Sequence, residues 1–429
     1  MNGLKAAIIG AGSTYTPELI DGFIERRKSL NFEEIYLMDI DRARLDVIGG
    51  LAKRMLSAKG AGSQVVLTTD LDEAIKGADY IFAQIRAGGM QSRIRDEKIP
   101  LKYGLLGQET TGAGGFMNAL RTVPVMLKIA RRIEKLAPGA WLINFSNPSG
   151  IIAQALNDHT KVKTIGLCNN PVNMLAGIEK ALGRRDFDYD YVGINHLSWI
   201  TSVILDGKEM IQDLYSGGAV SMKNIPDLDF DRELLKAVPA IPCGYLSYYY
   251  LRDEQIKKCM EAEKSRGEIC MELEAGLMEQ YASQELHKKP EELSQRGGAL
   301  YSTAAVSVAD AIENDKNEHH VVNVVNNGSL PFLDDNDVAE VKCVVGKNGA
   351  APVPVRAAQN EYIMGILKAV KAYERLAVKA AVNSCYTSAL TALMAHPLVG
   401  DYRRAKAVLD DMLEQNREFV TLSAREGES

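Results

Sequence analysis

The sequence predicts an α/β protein, with a doubly wound, mostly parallel sheet in its first part and an α+β domain after it. Three observations carry the prediction. Short, nearly continuous apolar runs recur through the first 170 or so residues, as strands covered on both faces require. Segments of helical period separate them, and that alternation is the signature of parallel strands joined by crossover helices. The first run ends in glycines that open a helix. A chain of 429 residues, 46% of them hydrophobic, can bury a full core, and its length suits two or three domains.

"LKAAIIGAGSTYTPELIDGFIERR" supplies the first strand, the Gly10-x-Gly12 turn and a helix in which Leu19, Ile20, Phe23 and Ile24 share a face. Thr16 suits the N-cap of that helix and Pro17 its first turn. "EIYLMDID" is a second strand ending in Asp39. Glycines at such a turn let backbone N–H groups approach a pyrophosphate, and an acidic residue ending the second strand takes ribose hydroxyls. The fingerprint is incomplete, because Ser13, Thr14 and Tyr15 stand where a third glycine is usual. Further strands read at "SQVVLTTD", "ADYIFAQIR", "GAWLINFSN" and "VKTIGLCNN", with helices at "LDEAIKGA" and "TVPVMLKIARRIEKLA". Six strands alternating with helices make the sheet Rossmann-like, and ligands then sit beyond the carboxyl ends of the strands. Asp39, Arg86, Asn147 and Cys168 all fall there.

The second part reads as strands in "DYDYVGINHLSWITSVILDG", then helices, then strands in "HHVVNVVNNG" and "DVAEVKCVVG", and a helical region from about Asn360. The expected division is residues 1–194, binding the dinucleotide, and 195–429, carrying substrate and subunit contacts. The tail "SAREGES" is charge-rich and reads as disorder-prone.

A net charge of −6 leaves no basic footprint for nucleic acid or an anionic membrane, so neither is an expected partner. Met1 leads straight into a buried-strand pattern rather than a signal peptide, and no apolar stretch reaches the ~18 residues of a span; a cytoplasmic protein is expected. Six cysteines without a C-x-x-C pair read as free thiols and rule out zinc-finger spacing.

Cys168 ends a strand and His196 lies in "GINHLSW"; thiolate and imidazole are a ligand pair whose softness points to zinc or iron, and two protein ligands would leave positions open for substrate. Residues 86–116 read as a long glycine-rich loop carrying Arg93, Arg95 and Glu109, where guanidinium forks can meet an anion. "IPCGYLSYYYLRDEQ" holds Tyr245, Tyr248, Tyr249 and Tyr250, some of them core. A phenol of pKa ~10 is a poor base unless a cation or a second base assists it. "EKSRGEICMELE" places Arg266 among helix formers.

Together "IIGAGSTYTPELI", "IRAGGMQSRIRDEKIPLKYGLLGQETTGAGGF", "INFSNPSG", "GLCNNP", "GINHLSW", "YLSYYY", "AVKAYERLAVKAAV" and "ALMAHPLV" resemble glycoside hydrolase family 4, the NAD-dependent glycosidases, over nearly the whole chain. That family departs from two-carboxylate hydrolysis. The resemblance implies that Cys168 and His196 hold a divalent ion, typically Mn2+. It makes Tyr245 the base at carbon 2 of the sugar, with Glu109 raising its basicity. Arg93, Asn147, Asn169 and Arg266 would bind substrate, with Ser265 and Arg266 near the sugar phosphate, while Gly10, Gly12, Ser13, Thr14 and Asp39 hold NAD. The implied route is oxidation at carbon 3, loss of the carbon 2 proton, β-elimination of the glycosidic oxygen, addition of water and return of the hydride. Family members are oligomers, so a homodimer or homotetramer is expected.

Asn169 follows the thiol where members acting on 6-phospho-α-glucosides commonly carry an aspartate. The resemblance therefore implies a 6-phospho-β-glucosidase acting on cellobiose 6-phosphate-like disaccharides or aryl glucosides, with a 6-phospho-α-glucosidase or another family 4 glycosidase as the alternative. A rival of another class is an NAD-dependent hydroxy-acid dehydrogenase, since lactate and malate dehydrogenases are similar in layout. A third reading is a sensor that binds NAD without turnover.

Overall fold

Thirteen strands define the architecture of the computed structural model, which describes residues 3–216, 230–296, 301–356 and 360–423. The first six are β1 (Leu4–Ile9), β2 (Phe32–Met38), β3 (Gln64–Thr68), β4 (Tyr80–Ala83), β5 (Trp141–Asn144) and β6 (Lys163–Gly166). They lie side by side in the order β6-β5-β4-β1-β2-β3, all parallel, which is the doubly wound arrangement expected. Their apolar residues are covered on both faces: Ile8, Ile35, Phe82 and Ile143 are fully buried. Phe23, from the helix Thr16–Arg26, packs on Phe32 and Phe82 with ring centroids 4.7 and 5.3 Å away.

The next strands are β7 (Asp188–Ile194), β8 (Leu197–Leu205), β9 (Lys208–Glu209) and β10 (Ile241–Pro242), which form a separate antiparallel sheet. β11 (Glu318–Val325), β12 (Val338–Gly346) and β13 (Gly349–Pro352) do not build a third sheet. β11 runs antiparallel to β6, meeting it at Asn323 and Gly166, and so the second part of the chain extends the sheet of the first to nine strands. The boundary expected at residues 194 and 195 falls inside the β7–β8 turn, and hydrogen bonding crosses it. The helical region begins where expected, at Glu361–Asn383, with Asn360 accepting the Tyr362 N–H at 2.8 Å. The tail from residue 424 onward lies outside the described residues.

One expectation is corrected. Residues 86–116 are mostly helical rather than a loop, comprising the helix Gly89–Lys98, a 3-10 turn at Pro100–Tyr103 and the start of the helix Gly112–Leu136. The run Met-Gln-Ser-Arg-Ile-Arg-Asp-Glu-Lys favours a helix, and the glycines that suggested a loop serve close packing. A Cβ on Gly114 would stand 2.2 Å from the Gln108 carbonyl oxygen and 2.5 Å from that of Asp96. These helices stack their N-terminal residues against the carboxyl ends of the sheet, which is where the candidate site lies.

Candidate active site

A cleft of about 1070 Å³ opens at the carboxyl ends of β1, β2 and β4, lined by Gly10, Gly12, Asp39 and Arg86 from the sheet side and by Glu274 and Arg296 from the second part. Gly10 has φ 86, a left-handed conformation that turns the chain out of β1. The Gly12 N–H donates to Asp39 Oδ2 at 2.7 Å, and a Cβ on Gly12 would lie 2.7 Å from that oxygen. Ser13 lines the cleft, while Thr14 is buried behind it with its hydroxyl unpaired. Thr16 was expected as a cap and is instead the first helical residue, after Tyr15; its hydroxyl donates to the Ala11 carbonyl at 2.8 Å and ties the turn together. Glycines, an open helix N-terminus and a strand-end carboxylate fit the pyrophosphate and ribose of a dinucleotide.

Sequence reasoning did not find the far wall of this cleft. Arg296 is buried, donates from Nε to Glu274 Oε1 at 2.9 Å and lies 4.8 Å from the Tyr15 ring centroid. Arg44 joins the same carboxylate at 3.4 Å and donates from Nε to the Gly12 carbonyl at 2.9 Å. The helix Arg266–Ala282 is thereby linked to the glycine turn.

Deeper in, Cys168 follows β6 and is 2% exposed, receiving the Asn170 N–H at 3.5 Å and a hydrogen bond from the Asn195 side chain. Burial first, and the Glu340 carboxylate second, push its thiol well above the ordinary value. A thiol so placed ionises against a cation. His196 occupies the β7–β8 turn with φ 64, a left-handed conformation that a side chain adopts only when its surroundings hold it. Burial lowers its imidazole to about 4, so it is neutral near pH 7, and Nδ1 is buried with no hydrogen-bond partner. A sulfur and a neutral imidazole with an unshared nitrogen fit a divalent ion. Among the described residues no group of three or more His, Cys, Asp or Glu side chains forms a metal cage, so two protein ligands would leave the remaining positions to water or substrate.

Tyr245 stacks on this imidazole, with ring centroids 4.1 Å apart and planes 15° from parallel. The tyrosine cluster divides by environment. Tyr248 meets Tyr245 edge-on at 5.8 Å, Tyr249 packs over His396, and Tyr250 accepts the Trp199 indole N–H at 2.9 Å. Burial raises the phenol pKa of all three of these neighbours, which makes them poor bases.

Glu109 is close enough to act electrostatically on His196 and pairs with Arg86, which lines the cleft. Arg86 reaches its Oε2 at 2.5 Å and Arg93 its Oε1 at 3.1 Å. Burial opposes its charge, but the two guanidinium groups outweigh that and hold its carboxyl at about 2. Both oxygens are thus engaged by arginines, which limits the charge available to act on Tyr245. Arg93 is itself shared with Glu97 at 2.8 Å. Asn147 lines the cleft, and Asn169, buried, precedes the helix Asn170–Leu182. Arg95 donates to the Gln415 carbonyl at 2.6 Å and pairs with Glu418, while Arg266 is exposed, donates to the Gln295 carbonyl at 2.9 Å and does not line the cleft. Ser265 caps the helix Arg266–Ala282, its hydroxyl accepting the Glu268 N–H at 3.3 Å.

Comparison with known proteins extends this geometry. A family model described as family 4 glycosyl hydrolase matches residues 5–184, and one described as family 4 glycosyl hydrolase C-terminal domain matches residues 191–399. The chain is 41% identical to the probable 6-phospho-beta-glucosidase of Bacillus subtilis (strain 168), covering 97% of each protein. It is 39% identical to the 6-phospho-beta-glucosidase of Escherichia coli (strain K12), covering 97% of this chain and 96% of that one. Among solved structures, the 6-phospho-beta glucosidase from Thermotoga maritima with manganese, NAD+ and glucose-6-phosphate matches with a TM-score of 0.91 and 34% identity, over 98% of this chain and 100% of that chain. Malate dehydrogenase from Plasmodium falciparum, 14% identical with a TM-score of 0.53, covers 88% of this chain and 98% of its own and shares the fold.

Proposed function

The chain belongs to family 4 of the glycosyl hydrolases, and on that footing we propose that it hydrolyses 6-phospho-β-glucosides, such as cellobiose 6-phosphate, in the cytoplasm. The observation that carries the β assignment is Asn169, the buried amide immediately after the thiol. An amide has no proton to give a leaving oxygen, whereas the carboxyl common at this place in the α-specific members has one. The relatives in Bacillus subtilis and Escherichia coli support the same choice.

Gly10, Gly12, Ser13 and Asp39 would hold NAD in the cleft, and Cys168 and His196 would hold a divalent ion, most simply Mn2+ as in the Thermotoga maritima structure. When bound, NAD supplies a reversible hydride acceptor for carbon 3 of the sugar and the ion supplies an electrophile for the oxygen on that carbon. Tyr245, stacked on His196, takes the proton from carbon 2, and the C1–O bond breaks with its electron pair leaving on the aglycone oxygen. Water then adds its hydroxyl at carbon 1, the proton held by Tyr245 returns to carbon 2 and the water's remaining proton ends on the aglycone oxygen, so the sum is hydrolysis without net redox change. Glu109 stays ionised and holds Arg86, which lines the cleft, and Arg93 in place, and a phosphorylated sugar requires such fixed positive charge.

The test is a comparison of nitrophenyl 6-phospho-β-glucoside with its α anomer, with and without NAD, Mn2+ and a chelator. Release of nitrophenol from the β anomer, lost on omitting NAD or adding chelator, is expected. Preference for the α anomer would reverse the assignment of Asn169. Stoichiometric accumulation of reduced cofactor would favour a dehydrogenase.

A further inference from the structure

Glu340 is the one carboxylate on β12 that is wholly buried, and nothing in the reaction described above uses it. Its partners are neutral donors. The Tyr191 hydroxyl donates to Oε2 at 2.9 Å, and the Asn195 and Asn323 amides donate to Oε1 at 3.2 and 3.1 Å. Among the described residues no Lys, Arg or His forms an ion pair with it. Taking a carboxylate out of water without a cation is costly, and burial pushes this one up to about 7.

Each of its three partners belongs to a different support of the thiol–imidazole corner. Asn195 precedes His196 in the left-handed turn, receives the Gly150 N–H at 3.3 Å on its own carbonyl and also hydrogen-bonds to the Cys168 sulfur. Asn323 is the β11 residue that meets Gly166, two positions before Cys168, and the approach is so close that a Cβ on Gly166 would lie 3.0 Å from the Asn323 Cβ. Tyr191 shares a 2.7 Å hydrogen bond with Ser198, across the turn in β8.

We infer that Glu340 is a positioning residue for Cys168 and His196, fixing the strand end and the turn that carry them and placing one negative charge behind a divalent ion without touching it. The inference rests on the reading that those two residues hold such an ion. Carboxylates and amides that orient metal ligands typically contribute 10–100-fold to metal affinity.

The test uses the full chain with NAD at pH 8, where the Glu340 carboxylate is mostly ionised, following free Mn2+ by its electron paramagnetic resonance signal during titration. In Glu340→Gln the amide oxygen still faces Asn195 and Asn323, and the amide NH2 faces a Tyr191 hydroxyl that turns to accept it, so the bonds survive and the charge does not. Asn195→Ala leaves the carboxylate and cuts its link to the turn. Mn2+ affinity is expected to fall about tenfold or more in each variant, with NAD affinity in the absence of metal unchanged. Wild-type Mn2+ affinity in both variants would overturn the inference, as would parallel losses of Mn2+ and NAD affinity, which mark general damage. If Glu340→Gln fails to fold, Tyr191→Phe, which removes a donor to the carboxylate without removing a bond to the Cys168 sulfur, takes its place, with the same fall in Mn2+ affinity expected. A wild-type protein that binds no Mn2+ would instead remove the reading beneath.

Discussion

At the scale of single residues, burial decides which charges stay fixed. Glu109 has a carboxyl held at about 2 by Arg86 and Arg93 against the opposing effect of burial. A folded-state value below the unfolded one means stability that is fully present above pH ~4.5 and is lost as pH falls toward 2. At about 1.4 kcal/mol per unit this contribution is roughly 3 kcal/mol near neutrality, of which about 2 kcal/mol is gone by pH 3. Glu109→Gln removes the titration and leaves the buried Arg93 and the half-buried Arg86 short of a charge. Urea unfolding of the cofactor-free proteins should show the variant less stable by a few kcal/mol at pH 7, with the gap much narrowed at pH 3. An equal gap at both pH values would mean that Glu109 is not held by its arginines. These residues also mark the limit of the sequence: Arg93 and Glu109 stand out in a basic, glycine-rich stretch, but their mutual pairing depends on a helix that the glycines disguised as a loop.

Elements carry the cleft at the glycine turn more than side chains do, because β1, its turn and the helix Thr16–Arg26 are specified locally by an apolar run, two glycines and a helical stripe. The strands and the turn were therefore legible in sequence. Glu274, Arg296 and Glu340 were not, since each acts on residues far away along the chain and no local period announces such contacts. Glu340 did leave one trace, a carboxylate within the apolar run "DVAEVKCVVG", where burial makes any charge informative. The turn itself makes a sharp prediction. In Gly12→Ala the new methyl meets Asp39 Oδ2 at 2.7 Å, and the carboxylate must move, giving up the Gly12 N–H. A lost hydrogen bond to a charged group is worth about 1.5–3 kcal/mol, so the Kd for NAD should rise at least tenfold in a fluorescence titration. Mn2+ binding at the proposed Cys168 and His196 pair, which lies at the β6 end and the β7–β8 turn, should stay intact. Unchanged NAD affinity would place the ribose away from Asp39.

For the whole molecule, the hydrogen-bonded sheet runs across the division expected at residues 194 and 195. β11 closes the edge of β6, and β12 and β13 continue it with Val322, Val341, Cys343 and Val345 buried. The helix Tyr301–Glu313 packs on the first part too: Asp310 pairs with Arg26 at 3.2 Å, and the Tyr80 hydroxyl donates to Glu313 at 2.8 Å. Residues 1–194 alone would therefore present an open strand edge beside an uncovered apolar face, the combination that drives association between chains. Two structural units that share one sheet should also melt together. Calorimetry of the full chain without cofactors should show a single transition, and a fragment ending at residue 194 should show none and aggregate. A soluble fragment with its own cooperative transition, or two resolved transitions in the full chain, would mean that the β6–β11 junction is dispensable and that the parts fold independently. A single transition would fit the Arg44–Glu274–Arg296 chain, which links the glycine turn of the first part to the helix Arg266–Ala282 of the second.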